Sequence, residues 1–289
     1  MDHPGRRRQD LIKAGRSGQE PDNERIAWKT ARLLGIDHVE YRVGRINGAR
    51  VSACDEMLSD TEELIPAGQI MRIFRKGGYR ERRDIWVEAC QRLGVDRDAI
   101  MHATDDFLFL DFLLRNTDRH YNNFGLIRDV ESFAIRPAPI YDSGASLWNG
   151  MDPDAMDNGD YRTKPFWTDQ WGEGDNAYWQ LSLIDDWDRY DLGVLDDVPD
   201  IVHEQLSTNQ RLSPMLIDRI TGLLRGRLPI IRRQRNTTAT RHMIGMTPIH
   251  GLDNRPRVKD SNRRTRPIFR TIRGRTIPAS AWSDPLRRS

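Results

Sequence analysis

The 289-residue sequence has no long apolar run and only two cysteines. No apolar stretch reaches about eighteen residues, and none follows the arginines of MDHPGRRRQD, so we expect neither a transmembrane helix nor a signal peptide. Cys54 and Cys90 follow neither a metal-ligand spacing nor the pattern of a secreted disulfide framework. We therefore expect a cytoplasmic protein without membrane contact, whose two thiols are reduced and partly buried.

The net charge is negative over most of the chain and positive at its end. Residues 236–289 hold 12 Lys and Arg against 3 acids, a net charge of +9, which leaves −7 for the remainder. An acidic body is not typical of a general nucleic-acid binder. The end segment has no sustained apolar period and predicts a basic, disordered tail, with contact to nucleic acid or an acidic partner as the alternative.

The first part of the chain combines strand and helix signals. Residues Asp10–Lys13 read as a short strand, and Asp22–Gly35 as a helix capped at Asp22 and ended by the glycine. A hairpin should follow around Asn47-Gly48, a strong tight-turn signal. Residues 59–71 carry turn and cap signals, and a helix is predicted around Asp84–Leu93.

The second part is mostly helical. Ile100–Asn116 is apolar on more than one face and predicts a buried helix. Two strand-like runs then flank a turn near Val130–Ser132, which predicts a second hairpin. Residues 145–178 predict a long loop. The remainder to about Arg235 is expected to be helical, and in its clearest amphipathic run Ser213 is the cap and Pro214 the first helical position.

The loop after the buried helix carries residues suited to phosphoryl transfer. This reaction needs a carboxylate at the acceptor hydroxyl, metal ligands between the phosphates and a lysine on the phosphate tail. Asp118 lies in that loop, and Asn123 follows at plus five, the spacing of a kinase base and metal ligand. Asp142 ends the second hairpin. Because an antiparallel hairpin brings its ends together, Asn123 and Asp142 can flank one metal site.

The segments NTDRHYNNFG and PIYDSGASLW resemble the catalytic and metal-binding segments of HipA-like serine/threonine kinases. The resemblance covers about residues 10–230 and is most specific over 110–148. It implies an α-rich variant of the protein-kinase fold. It also implies that Asp118 is the catalytic aspartate and that Asn123 and Asp142 are the magnesium ligands.

Two further positions follow from the same resemblance. Gly144 corresponds to the glycine of a DFG-like turn, with Ser143 in place of Phe. His120 occupies the plus-two position after Asp118, where other kinases usually carry a lysine against the γ-phosphate. This histidine is expected either to touch phosphate or to brace the loop.

The front of the chain supports the kinase interpretation less specifically. Lys13 closes the first strand and Glu24 opens the first helix, like the strand lysine and helix glutamate that pair in kinases, with solvated surface charges as the alternative. Only 12 residues precede Lys13, so we expect the first strands and the glycine-rich loop of the N-lobe to be missing. Gly15 and Gly18 follow the lysine, in a loop that offers another approach to phosphate.

Together these features predict an α+β, protein-kinase-like fold of HipA type. A truncated, β-containing N-lobe should span residues 1–75, a larger α-rich catalytic lobe residues 76–235, and the basic tail residues 236–289. The expected activity is an ATP- and Mg²⁺-dependent transfer of the γ-phosphate to a serine or threonine hydroxyl of a protein. An antitoxin-like regulator is a further expected partner.

Two alternatives stay open at this point. The incomplete N-lobe is compatible with a catalytically impaired pseudokinase or a toxin–antitoxin binding module, with the basic tail contacting nucleic acid or a partner. A metal hydrolase that uses Asp118, His120 and Asp142 is also conceivable. Its transition-metal form lacks a second histidine at helical spacing.

Overall fold

The predicted mixture of helices and strands is present in the structure, a computed structural model that describes residues 10–74, 82–166 and 176–243. These residues form two three-stranded antiparallel sheets and a larger helical part. The predicted boundary between residues 75 and 76 lies outside the described residues, and both lobe boundaries stay predictions.

The first sheet contains β1 (Asp10–Ala14), β2 (Tyr41–Ile46) and β3 (Ala49–Asp55), in the order β1-β3-β2. Asn47 and Gly48 join β2 to β3 with φ angles of 50° and 76°. A two-residue hairpin turn of type I′ requires positive φ at both of its central positions. The predicted strand and hairpin are therefore confirmed.

Helix α1 (Glu20–Leu33) packs against this sheet. Gly35, with a φ of 70°, follows the helix end as predicted. The prediction that Asp22 caps the helix is wrong, because the helix begins at Glu20 and Asp22 is buried in its first turn. Asp22 instead accepts two hydrogen bonds from the guanidinium of Arg50 on β3, at 2.8 and 2.5 Å.

The second sheet contains β4 (Glu62–Pro66), β5 (Gly125–Asp129) and β6 (Ile135–Pro137), in the order β4-β5-β6. The β5–β6 hairpin agrees with the sequence prediction. Strand β4 was not predicted, because turn and cap signals dominate residues 59–71. It pairs antiparallel with β5, with Leu64 opposite Ile127. A segment assigned to the N-lobe thus shares a sheet with the chain that follows the candidate catalytic loop.

Helices α2 (Ala67–Phe74), α3 (Arg82–Arg92) and α4 (Arg97–Leu114) follow β4 along the chain. Asp96 caps α4 by accepting the backbone N–H of Ala99 at 2.9 Å. Every residue of α4 from position 104 to its end is buried. The prediction of a buried helix before the catalytic loop is therefore confirmed.

The last helix extends further than its sequence pattern predicts. This helix spans residues 214–243. The hydroxyls of Thr237 and Thr240 donate hydrogen bonds to the carbonyls of Arg233 and Asn236, one turn earlier in the helix. The helix therefore passes Arg235 and includes the first residues of the predicted tail. Positions 244–289 of that tail lie outside the described residues. The remaining helices are α5 (Ala177–Leu181), α6 (Val198–Ser207) and α7 (Pro214–Met243).

An aromatic cluster lies beneath the loop that follows α4. The ring of Phe124 packs against Trp86 and Phe107, with centroid distances of 5.2 and 4.8 Å, and against Tyr121 and Phe166. Burying one large apolar side chain contributes about 1.5–3 kcal/mol. This aromatic cluster therefore gives the loop a rigid support.

Both cysteines are free, as the sequence predicts, and both are buried where partial burial was expected. Within the described part of the chain, no helix combines the length and the apolar character needed to cross a membrane.

Candidate active site

The candidate catalytic loop, residues 115–124, begins where α4 ends. Arg115 adopts a left-handed conformation with a φ of 56° and so ends the helix. The side chain of Asn116 donates to Asp111 of α4 at 2.9 Å, and its oxygen accepts the backbone N–H of Asp118 at 3.1 Å. These bonds direct the chain away from the helix, and the Asp118 side chain stays 42% exposed.

Hydrogen bonds within the loop fix its shape. The carbonyl of Asp118 accepts the backbone N–H of His120 at 2.8 Å and the side-chain amide of Asn123 at 3.0 Å. The amide oxygen of Asn123 is then the atom available for a cation. The Nδ1 atom of His120 accepts the backbone N–H of Asn122 at 3.2 Å. This contact braces the loop, one of the two roles expected for His120.

Arg119 is the central support of the loop, and its side chain is 0% exposed. Its Nε and Nη2 atoms donate to the two carboxylate oxygens of Asp111, at 2.9 and 2.8 Å. Its Nη1 atom donates to the carbonyls of Asn123, at 3.0 Å, and of Tyr141. Tyr141 immediately precedes Asp142. A single guanidinium nitrogen therefore joins the end of the loop to the Asp-Ser-Gly segment.

Ser143, the residue after Asp142, takes part in a buried polar chain. Its hydroxyl accepts from Nη2 of Arg119 at 3.1 Å and donates to Nε2 of His38 at 3.3 Å. The Nδ1–H of His38 donates to the Val39 carbonyl at 2.7 Å. Burial, together with the charge of Arg119, lowers the pKa of His38 to about 3. The histidine is therefore neutral at neutral pH, and its Nε2 atom accepts a hydrogen bond from the Ser143 hydroxyl.

Lys13, Glu24 and Asp142 form one ion-pair group. The Lys13 ammonium lies 2.5 Å from Oδ1 of Asp142 and 3.4 Å from Oε1 of Glu24. Burial alone would lower the pKa of Lys13, but the two carboxylates outweigh it and raise that pKa. Burial raises the pKa of Glu24, and the charge of Asp142 adds to this effect. The structure therefore brings the predicted Lys13–Glu24 pair to the candidate metal ligand.

The first turn of α1 also holds the Asp-Ser-Gly segment. Glu24 accepts the backbone N–H of Ser143 at 2.8 Å, and the side-chain amide of Asn23 donates to the carbonyls of Gly144 and Ser146, both at 2.8 Å. A Cβ atom on Gly144 would lie 3.3 Å from side-chain atoms of α1. The close approach of the two segments therefore favours glycine at this position.

The loop between β1 and α1 already contains an anion from its own chain. The carboxylate of Glu20 accepts the backbone N–H groups of Arg16, Ser17 and Gly18, at 2.9, 3.1 and 3.0 Å. Burial would raise the pKa of Glu20, but these bonds and the Ser17 hydroxyl outweigh it and lower the pKa. The donors that could approach a phosphate are therefore satisfied internally.

Asp111 and Arg119 were missed in the sequence, and Lys164 was noted only as part of a weaker resemblance over Lys164–Phe166, with no role. Asp111 is an isolated acid within the apolar run FLFLDFLL, and such a residue needs a buried partner, which Arg119 provides. That signal was available. Lys164 donates to Oδ1 of Asp118 at 2.6 Å from a segment distant in sequence. No local sequence pattern connects Lys164 with Asp118.

The donor set of the site fits magnesium better than a transition metal. Mg²⁺ is usually bound by one or two carboxylates together with waters and substrate phosphates, and Asp142 with the Asn123 oxygen supplies ligands of this kind. The side chains of Asp118, His120 and Asp142 do not group as a metal site, nor do any three His, Cys, Asp or Glu in the described ranges. The hydrolase alternative is therefore poorly supported.

Comparison with known proteins identifies the fold. No family model matches the chain. It is 24% identical to the serine/threonine-protein kinase CtkA of Helicobacter pylori over 134 residues, which are 45% of this chain and 41% of that protein. The crystal structure of the H. pylori proinflammatory kinase CtkA gives a TM-score of 0.61 at 18% identity, over 80% of this chain and 90% of that one. The chain has the kinase-like fold of CtkA.

The CtkA match confirms the predicted resemblance to HipA-like kinases and the predicted fold class. HipA of Shewanella oneidensis MR-1, solved with HipB and operator DNA, gives a TM-score of 0.45 at 13% identity, over 78% of this chain and 60% of that chain. The match to CtkA in sequence spans less than half of that relative's length.

Proposed function

We propose that the protein is an ATP- and Mg²⁺-dependent phosphotransferase, a HipA-like kinase that transfers the γ-phosphate to a serine or threonine hydroxyl of a protein. One observation carries the proposal. Arg119 connects the loop of Asp118 and Asn123 to the segment of Asp142, and Asp142 in turn contacts Lys13. The segments that carry the proposed base, the two proposed metal ligands and the proposed phosphate-binding lysine are thereby linked, which supports the assignment of the parts that phosphoryl transfer requires.

Each residue has a defined role in this proposal. Asp118 accepts the proton of the acceptor hydroxyl and orients its oxygen. Asn123 and Asp142 would hold Mg²⁺, which neutralises charge on the phosphates when bound. Lys13 would exchange its contact with Asp142 for a phosphate oxygen, and Glu24 keeps the ammonium in place during that exchange. The bond to the acceptor oxygen forms as the bond between the γ-phosphorus and ADP breaks.

The test is transfer of labelled γ-phosphate from ATP to the protein itself or to a protein substrate in the presence of Mg²⁺. Asp118→Asn and Asp142→Asn each remove a carboxylate that the reaction needs while preserving side-chain volume. We expect each variant to lose about 10³-fold or more in rate, as for removal of groups that act in the transition state.

Asp200→Asn is the matched control, because Asp200 is an exposed acid on α6 that pairs with Arg225. This variant should transfer phosphate at the wild-type rate. Full activity in both Asp118→Asn and Asp142→Asn would contradict the assignment. Unfolding curves of all three variants establish that the effects are not losses of folded protein.

The alternative is a pseudokinase or binding module with the same fold. The Glu20 carboxylate seated in the loop after Lys13 favours it, because this carboxylate satisfies donors that a phosphate could use. Calorimetry with ATP and Mg²⁺ distinguishes the two functions. Tight binding without phosphate transfer would support the binding module, whereas binding with transfer supports the kinase.

The remaining partners and the location stay predictions. An antitoxin-like regulator and a nucleic acid contacted through residues 236–289 are proposed from the sequence, as is a cytoplasmic location. Nucleic-acid binding that weakens with salt and is lost on deleting residues 244–289 would support the second partner.

A further inference from the structure

Lys164 provides a positive charge at the proposed catalytic aspartate. Its Nζ atom lies 2.6 Å from Oδ1 of Asp118, and the two side chains are 46% and 42% exposed. An ion pair between two exposed side chains is by itself weak evidence of a function. Its place in the site makes it relevant, because Asp118 is the residue proposed to accept the proton from the acceptor.

The segment that carries Lys164 is anchored on both sides of it. The hydroxyl of Thr163 donates to the carbonyl of Asn116, at the start of the catalytic loop, at 3.1 Å. Phe166 is fully buried, and its ring lies 5.9 Å from that of Phe107 and 6.4 Å from that of Tyr121. These anchors hold the backbone of Lys164 against the loop, so less entropy is lost when the ammonium meets Asp118.

The side chain that the sequence suggested for this role is engaged differently. His120 stands at plus two from Asp118, where other kinases usually carry a lysine, and its Nδ1 atom accepts the backbone N–H of Asn122. Lys13 instead contacts Asp142 and Glu24. Among the residues that the structure describes, Lys164 is therefore the lysine whose ammonium contacts the proposed base.

We infer that Lys164 is a further catalytic residue, which bonds the transferred phosphoryl group and orients Asp118. This inference rests on the proposed function. As the acceptor oxygen forms its bond to the γ-phosphorus and the bond to ADP breaks, the acceptor proton passes to Asp118. The ammonium of Lys164 contacts a phosphoryl oxygen. Its positive charge reduces the repulsion between the Asp118 carboxylate and the γ-phosphate. A lysine suits this exchange, since its ammonium is a mobile point charge.

The test compares binding of the Mg²⁺ complexes of ADP and of a non-hydrolysable ATP analogue by calorimetry, in the full chain and in Lys164→Met. Only the analogue has a γ-phosphate. We expect Lys164→Met to bind the analogue about tenfold more weakly and ADP within about twofold of wild type, as expected for loss of one charge-assisted hydrogen bond. The kcat for phosphate transfer should fall by about 10²-fold.

Two further variants make the result specific. Lys164→Arg keeps the positive charge and should recover part of the preference for the analogue over ADP. Lys29→Met removes a lysine on α1 that pairs with Glu204, away from Asp118, and should leave both affinities and kcat unchanged.

The outcomes separate this inference from the proposed function. If wild type transfers phosphate and Lys164→Met retains both kcat and the preference for the analogue, the inference is overturned and the kinase proposal stands. If wild type binds the analogue without transfer and Lys164→Met loses the preference, the phosphate contact of Lys164 is supported and turnover is not. If wild type binds neither nucleotide, both are overturned.

Discussion

The candidate site and the adjoining helix α1 have a buried side built on arginines and a solvent-facing side built on lysines. Arg119 and Arg50 are buried, and each donates from two nitrogen atoms to one carboxylate, that of Asp111 and of Asp22 respectively. The same guanidinium groups also donate to backbone or hydroxyl oxygens elsewhere. These arginines therefore fix the relative positions of several segments.

The lysines make simpler and more accessible contacts. Lys13 is 37% exposed beside Asp142, and Lys164 is 46% exposed beside Asp118. A planar guanidinium matches a carboxylate through two bonds, whereas an ammonium can exchange one oxygen for another. The difference indicates that the buried side maintains the geometry, and it supports the proposal that the exposed lysines exchange protein oxygens for phosphate oxygens.

The largest effect on stability should come from Arg119→Leu. This change leaves the Asp111 carboxylate buried without its cation, and breaking a buried ion pair in this way typically destabilises by about 3–5 kcal/mol. Urea unfolding gives the free energy of unfolding directly. An unchanged unfolding midpoint would show that the arginine does not hold the buried side together.

A second substitution tests whether the uncompensated charge is the cause. Adding Asp111→Leu to Arg119→Leu removes the carboxylate that has lost its partner, so the double variant should be more stable than Arg119→Leu alone. Both should lack transfer activity, because the contacts from Arg119 to the carbonyls of Asn123 and Tyr141 are lost.

A smaller effect is expected from acid, through His38 on the buried side. Its pKa in the folded protein is about 3, below its ordinary value of 6.5, so the unfolded chain binds a proton that the folded chain does not. The stabilisation is present above about pH 6.5 and is lost as the pH falls toward about 3. At about pH 5 we expect a loss of about 2 kcal/mol relative to neutral pH.

Urea unfolding at about pH 7.5 and about pH 5, with wild type and His38→Gln, measures this contribution. Between about pH 7.5 and about pH 5, the free energy of unfolding of His38→Gln should fall by about 2 kcal/mol less than that of wild type. His203→Gln, at an exposed position on α6, is the control and should behave as wild type. Equal losses in wild type and His38→Gln would contradict the prediction.

The smallest effect on stability should come from the lysine side. Lys164→Met removes an exposed ion pair, and such pairs contribute about 0–1 kcal/mol. The same unfolding measurement should therefore place this variant within about 1 kcal/mol of wild type. A loss as large as that of Arg119→Leu would show that the two sides of the site do not differ in the way proposed.

The sequence predicted the local parts of the fold well. The turn at Asn47-Gly48, the buried helix α4 and the β5–β6 hairpin were predicted because each is specified by residues that are close together in the sequence. The predicted residues Lys13, Glu24 and Asp142 form one group, and the loop of Asp118, His120 and Asn123 is linked to it through Arg119. Their catalytic roles stay predictions.

The features that were missed depend on contacts between distant segments. Strand β4 is specified by its pairing with β5, although its own residues carry turn and cap signals. Lys164 meets Asp118 because Thr163 and Phe166 anchor its segment to the loop and to the aromatic cluster. Pairing and packing of this kind are tertiary effects that override local preference.

The serine in the Asp-Ser-Gly turn has a consequence for how this site can be switched off. An aromatic residue at that position could leave its pocket by exposing apolar surface. Ser143 is instead tied to Arg119 and His38 through its hydroxyl. Rotating the turn outward would break the hydrogen bonds that the Ser143 hydroxyl makes with the buried Arg119 guanidinium and the neutral His38 ring. Inactivation by this movement would therefore be opposed by polar desolvation instead of by loss of hydrophobic packing.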